Sequence, residues 1–254
     1  MAVTGPVIDV EYKEILPDGS TYSYAYDFNK FACDVISKIN ERYRTSFSCV
    51  MGMDKSFQNT SSMDKSGKIS IVIGLGNLPD EHNKNRIEAM KLAIAHEIAH
   101  HVYQGMTLSA IAKLALTADK VANSYRKVIM ACSIEVAADL HAKRLYIEQG
   151  KIITAAIYEE YIGILTHGKE ENEEMVAYFI NKGTLPPSFR IKYLKKYKRF
   201  EADDYEVLSE IISDLSRLTI RFMNKRLGLR TYEKWIKAQM ELSNFPNRVN
   251  RLRR

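Results

Sequence analysis

The run Leu92-Ala-Ile-Ala-His-Glu-Ile-Ala-His100 constrains this chain more than any other, because two histidines and a glutamate interrupt an otherwise apolar helical stretch. A helix with such a surface belongs in the interior, where polar side chains need partners. His96 and His100 stand at i and i+4, one turn apart on one face, so both imidazoles can reach a single ion. Glu97 lies about 100° further round the helix, beside that ion, where its carboxylate can act as a base on water.

A second motif supplies what the first lacks. Tetrahedral catalytic zinc takes three protein ligands and keeps one open position, and two histidines with one glutamate are an established set. Glu135-Val-Ala-Ala-Asp139 falls in a second helical stretch, Ser124 to Glu148, and offers Glu135 as the third ligand. Asp139, one turn on, faces the same way and can accept the ring N–H of a liganding histidine. A competing structural reading makes the histidines polar residues of an amphipathic helix, with Glu135 and Asp139 as salt-bridged neighbours. The coincidence of two motifs with suitable spacing disfavours it.

H-E-x-x-H followed by E-x-x-A-D resembles the gluzincin metallopeptidases. Glu135-Val-Ala-Ala-Asp139-Leu-His-Ala142 is most similar to the corresponding segment of the M48 type. Thr184-Leu185-Pro186-Pro187-Ser188-Phe189-Arg190-Ile191 resembles that family's T-H-P-P-x-x-x-R-I stretch, with Leu185 in place of the histidine and Arg190 one residue early. The phage-exclusion (Lit-like) peptidases are another cytosolic group carrying H-E-x-x-H. The resemblance covers roughly Lys68 to Leu194. It implies a zinc-dependent endopeptidase holding one zinc ion on His96, His100 and Glu135, with Glu97 as base and Asp139 behind the ligands. The oxyanion would need a further donor; Tyr125, Tyr158, Tyr161, His167 and Arg190 are candidates, of which Arg190 and His167 are preferred.

The other polar residues of interest carry blander expectations. His101 points some 100° from His100, His141 lies off the metal-facing side, and His82 sits in a polar loop, so all three are expected to be surface or hydrogen-bonded histidines. Cys33, Cys49 and Cys132 are odd in number with no C-x-x-C spacing, which argues for reduced thiols in the cytosol. Cys132 reads as a small core residue.

The 254-residue chain carries a net charge of +6, unevenly spread. From Lys182 to Arg254 there are 18 Lys and Arg against 8 Asp and Glu. Arg190 to Arg199 interleaves cations with aromatics, and Arg248 to Arg254 ends in a basic tail. Either could meet nucleic acid or an acidic protein, but a solvated helix face and a frayed terminus are preferred. The alternative function is therefore an inactive, metal-stabilised module that binds such a partner through its basic third. The N-terminus shows no secretory signal and no stretch is long and apolar enough to span a membrane, so a cytoplasmic location and a protein or peptide substrate are expected.

Val7 to Ile15 and Thr21 to Tyr26 predict a hairpin across Leu16-Pro-Asp-Gly-Ser20, and Asp27 is expected to cap a helix to about Arg44. Met51 to Gly67, rich in Ser, Asp and Lys, reads as a mobile loop. Lys68 to Ile73 reads as an edge strand ahead of the metal helix, where a substrate backbone could pair; Gly74-Leu-Gly76 after it reads as a plain turn. A metal helix to about Gln104 is then expected to stop at Gly105, with a short helix at Leu108 to Leu116. Further helices are expected near Ile152 to Leu165, Glu170 to Asn181, Ser188 to Phe200, Tyr205 to Leu227 and Tyr232 to Leu242. The fold class is α+β: a mainly helical, zincin-like body with a small N-terminal sheet. The chain is read as one domain, with an N-terminal part (1–80), the metal-site helices (81–200) and a basic helical extension (201–254).

Overall fold

Ser23 opens the first long helix, α1 (Tyr24–Tyr43), by accepting a hydrogen bond from the Tyr26 amide, so the cap falls four residues before the expected Asp27. Phe28, Phe31, Val35, Ile36 and Ile39 make its buried face. The computed structural model describes residues 13–15, 19, 21–54, 59–74, 83–117, 123–166, 185–201 and 204–227. The helices expected at 170–181 and 232–242 lie outside them. The chain divides into two compact units, Met1–Val102 with His141–Lys169, and Tyr103–Leu140 with Glu170–Arg254.

The first unit begins with the expected hairpin, β1 (Lys13–Ile15) against β2 (Thr21–Ser23), antiparallel. After α1 comes a three-stranded mixed sheet of β3 (Ser48–Asp54), β4 (Thr60–Met63) and β5 (Lys68–Gly74), in the order β3-β5-β4. This corrects the sequence reading twice. The segment 51–67 is not a mobile loop, because most of its described part is strand and a tight turn. Asp64 Oδ1 accepts from the amides of Ser66 and Lys68, and Gly67 sits at φ 82°, which only glycine adopts cheaply. The strand ahead of the metal helix is also not an edge. β5 is central, with Ile69, Ile71 and Ile73 fully buried, and β4 occupies the edge. The polar composition that suggested a loop belongs to that mostly exposed edge strand.

Asn83 caps α2 (Lys84–Thr117) by accepting from the Arg86 amide at 3.1 Å. Every residue from Ala89 to Ala95 is buried, and so are Ile98 and Ala99, as the apolar run requires. Lys91, 6% exposed, survives there because Asp27 and Glu88 stand 2.6 and 3.0 Å from its ammonium group. Glu88 also takes hydrogen bonds from Lys151 and the Tyr146 hydroxyl. Burial alone would raise the Glu88 carboxyl, but these donors hold it below its ordinary value.

The expected helix stop at Gly105 does not occur, since α2 runs through it to Thr117. Gly105 has no positive φ, so nothing in its backbone terminates the helix. The sequence rule fails because glycine only weakens a helix, by about 1 kcal/mol relative to alanine, and the flanking residues are good helix formers. At the end of α3 (Asn123–Glu148) the rule holds. Gly150 takes φ 73° and its amide donates to the Ile147 carbonyl. α4 (Ala155–Thr166) completes this unit.

The second unit contains the end of α2, the first part of α3, α5 (Pro187–Lys196) and α6 (Tyr205–Leu227). Proline at its first position suits α5, since the missing N–H has no partner there in any case. Ile191, Tyr193, Leu194, Leu208, Ile211 and Leu215 are buried. The described chain is thus mostly helical with a small mixed sheet, an α+β fold, and none of its helices is long and apolar enough to cross a membrane.

Adding a Cβ at Gly105 meets no heavy atom within 4 Å, and the residue is exposed. Gly105→Ala should therefore stabilise the protein by about 0.5–1 kcal/mol in urea denaturation. Destabilisation would contradict a helix continuous through this point.

Candidate metal centre

The single turn between His96 and His100 carries the first half of the centre. His96 is 6% exposed, His100 is half-buried, and their rings meet edge to face with centroids 4.5 Å apart. Their Nε2 atoms are 2.9 Å from each other. Two imidazoles that share an i, i+4 face can diverge; these converge on one point. At zinc–nitrogen distances near 2.0–2.1 Å, two ligand nitrogens of a tetrahedron stand about 3.3 Å apart, so the pair needs to open by only a few tenths of an ångström. The donor set fits the ion.

Glu97 is half-buried and its Oε2 accepts a 2.5 Å hydrogen bond from the Ser61 hydroxyl. Ser61 comes from β4, a strand whose polar composition reads as loop in the sequence and so hides it. The next histidine along, His101, has a buried Nε2 with no hydrogen-bond partner, and burial lowers its tendency to protonate. His141 is 1% exposed and not a surface residue; burial, with the Arg144 cation adding to it, pushes its imidazole down to about 3, so it is neutral. His82 and His167 lie outside the described residues.

The second motif has a partner that was expected to do something else. Asp139 is 1% exposed, and Arg190 binds it with two hydrogen bonds, Nε to Oδ2 at 2.6 Å and Nη2 to Oδ1 at 2.7 Å. The remaining guanidinium nitrogen, Nη1, stands 3.7 Å from Oε2 of Glu135. Arg190 is itself 4% exposed. It was expected as an oxyanion donor, but here its observed partners are carboxylates. Asp139, expected to accept from a histidine ring, gives both carboxylate oxygens to Arg190. This fork-to-fork geometry fixes both planes and neutralises one buried charge with another.

Residues around this pair follow the bland expectation. Cys132, 2% exposed, has its thiol pushed up to about 12 by burial and the nearby Glu135, so it is a core thiol and not a nucleophile. Leu185 is fully buried. Tyr158 and Tyr161 of α4 are buried, and the side chain of Tyr125 lies outside the described residues.

The basic stretch from Arg190 to Arg199 turns out to be partly neutralised. Lys192 pairs with Asp214 at 3.0 Å and Lys196 with Glu210, both on α6, while the Tyr193 and Tyr197 hydroxyls donate to the same two carboxylates. Lys195, Lys198 and Arg199 stay exposed. Half of the cation-aromatic pattern therefore joins two helices.

Among the described residues, His96 and His100 each offer one nitrogen that a metal ion could take, while Glu135, the third residue of the two motifs, belongs to the other compact unit. The chain matches no known family model, and no curated protein or solved structure is similar to it.

Removing one partner of a buried, hydrogen-bonded ion pair strands the other charge. Asp139→Ala should cost about 3–5 kcal/mol in urea denaturation of the metal-free protein. A loss below about 1 kcal/mol would show that Arg190 is solvated in solution.

Proposed function

We propose that this chain is a zinc-dependent endopeptidase with a zincin-like catalytic body, acting on a protein or peptide in the cytoplasm. The observation that carries the reading is the convergence of the His96 and His100 Nε2 atoms next to a carboxylate, Glu97, that Ser61 holds and that pairs with no cation among the described residues. His96, His100 and Glu135 are the ligands in this proposal. A zinc ion bound there supplies Lewis acidity, polarising a peptide carbonyl and making water acidic enough to lose a proton near neutral pH.

Glu97 takes that proton as water adds to the carbonyl, and returns it to the leaving amine. Its position one residue after His96 keeps it close to the ligands without making it one. Arg190 acts behind the centre. It fixes Asp139 outright and stands close enough to Glu135 to limit where that carboxylate can swing. The binding-module alternative is weakened by the pairing of Lys192 and Lys196 with α6, which leaves a smaller free basic surface than the sequence suggested.

Purified protein should hold one zinc ion per chain. Glu97→Gln should keep that zinc and lose peptide hydrolysis by about 100-fold or more, whereas Glu135→Ala should lose the metal. Full activity of the Glu97 variant, or unchanged zinc in the Glu135 variant, would overturn the respective assignment.

A further inference from the structure

We infer that Ser61 is the positioning residue for Glu97, a role that rests on the hydrolase reading above and names a part of the machinery outside the two helical motifs. Ser61 is 36 residues from Glu97 in sequence, so only the sheet brings them together. β4 is registered antiparallel on β5 with Ser61 opposite Ile71, and cross-strand partners share a face of the sheet. Ile71 is fully buried. Ser61 is therefore a polar residue at an inward-facing place of an edge strand, where a hydrophobic residue would be ordinary. It is there to meet a polar group, and the group it meets is the Glu97 carboxylate.

The geometry of that contact suits positioning. The Ser61 hydroxyl donates to Glu97 Oε2 at 2.5 Å, a direct hydroxyl-to-carboxylate hydrogen bond. It engages one carboxylate oxygen and leaves Oε1 for a proton in transit. A glutamate side chain has three rotatable bonds, and a base displaced by about 1 Å can cost 100-fold in rate. Tying Oε2 to a strand fixes the rotamer. The hydroxyl touches Glu97 and has no observed contact with His96 or His100, so its loss should leave metal binding intact.

The full-length, zinc-loaded chain tests this with a proteome-derived peptide pool read by mass spectrometry, followed by steady-state kinetics on the best-cleaved sequence. Ser61→Ala should lower kcat by about 10- to 100-fold with KM and zinc stoichiometry unchanged, and Ser61→Thr, which keeps the hydroxyl, should restore most of it. A merely structural serine would not give that split or that rescue. The contact itself is read without activity: in urea, Ser61→Ala should lower the unfolding midpoint in the wild-type background and shift it much less in a Glu97→Ala background. Wild-type kcat in Ser61→Ala, or equal midpoint shifts in both backgrounds, overturns the inference alone. Zinc-loaded wild type that cleaves nothing in the pool overturns the hydrolase reading, and this inference with it.

Discussion

A helix buried along most of its surface can carry two imidazoles and a carboxylate only if each of them finds a partner, because an unpaired polar group there costs several kcal/mol. From Ala89 to Ala99 only Glu97 escapes full burial, and His96 is nearly as enclosed as the apolar residues around it. Each polar group is answered locally: the two rings by one another, Glu97 by Ser61, Lys91 by Asp27 and Glu88. The sheet is arranged around this requirement. β5 supplies the isoleucines that cover the interior, while the edge strand β4 supplies the hydroxyl.

The second unit meets the same requirement by different means. Two acidic residues one turn apart on α3 would repel each other if both were buried without a cation. Arg190, delivered by the first turn of α5 after the Pro186-Pro187 pair, binds one in a fork and approaches the other. Its five N–H donors and permanent charge make it suited to that task in a way lysine is not. In the structure, Arg190 contacts both carboxylates of the motif it follows.

The parts of the fold that were legible in the sequence are those written in helical periodicity. α1, α3, α4, α5 and α6 lie within a few residues of their expected places. The failures share a cause. At Gly105 and over the segment 51–67 the surroundings override local propensity: the long apolar helix carries its glycine, and an exposed edge strand has no need of alternating hydrophobic residues. Ser61 was invisible for the same reason. A serine has no period, and nothing in a single sequence says that it will lie opposite Ile71 and face Glu97.

X-ray absorption at the zinc edge, on protein loaded with one equivalent, reads the ligand set itself. Two histidines and one glutamate on the ion give four or five light-atom neighbours at about 2.0–2.2 Å, with the outer-shell scattering of two imidazole rings and no sulfur. A sulfur neighbour near 2.3 Å, a shell without imidazole, or a single ring would contradict it.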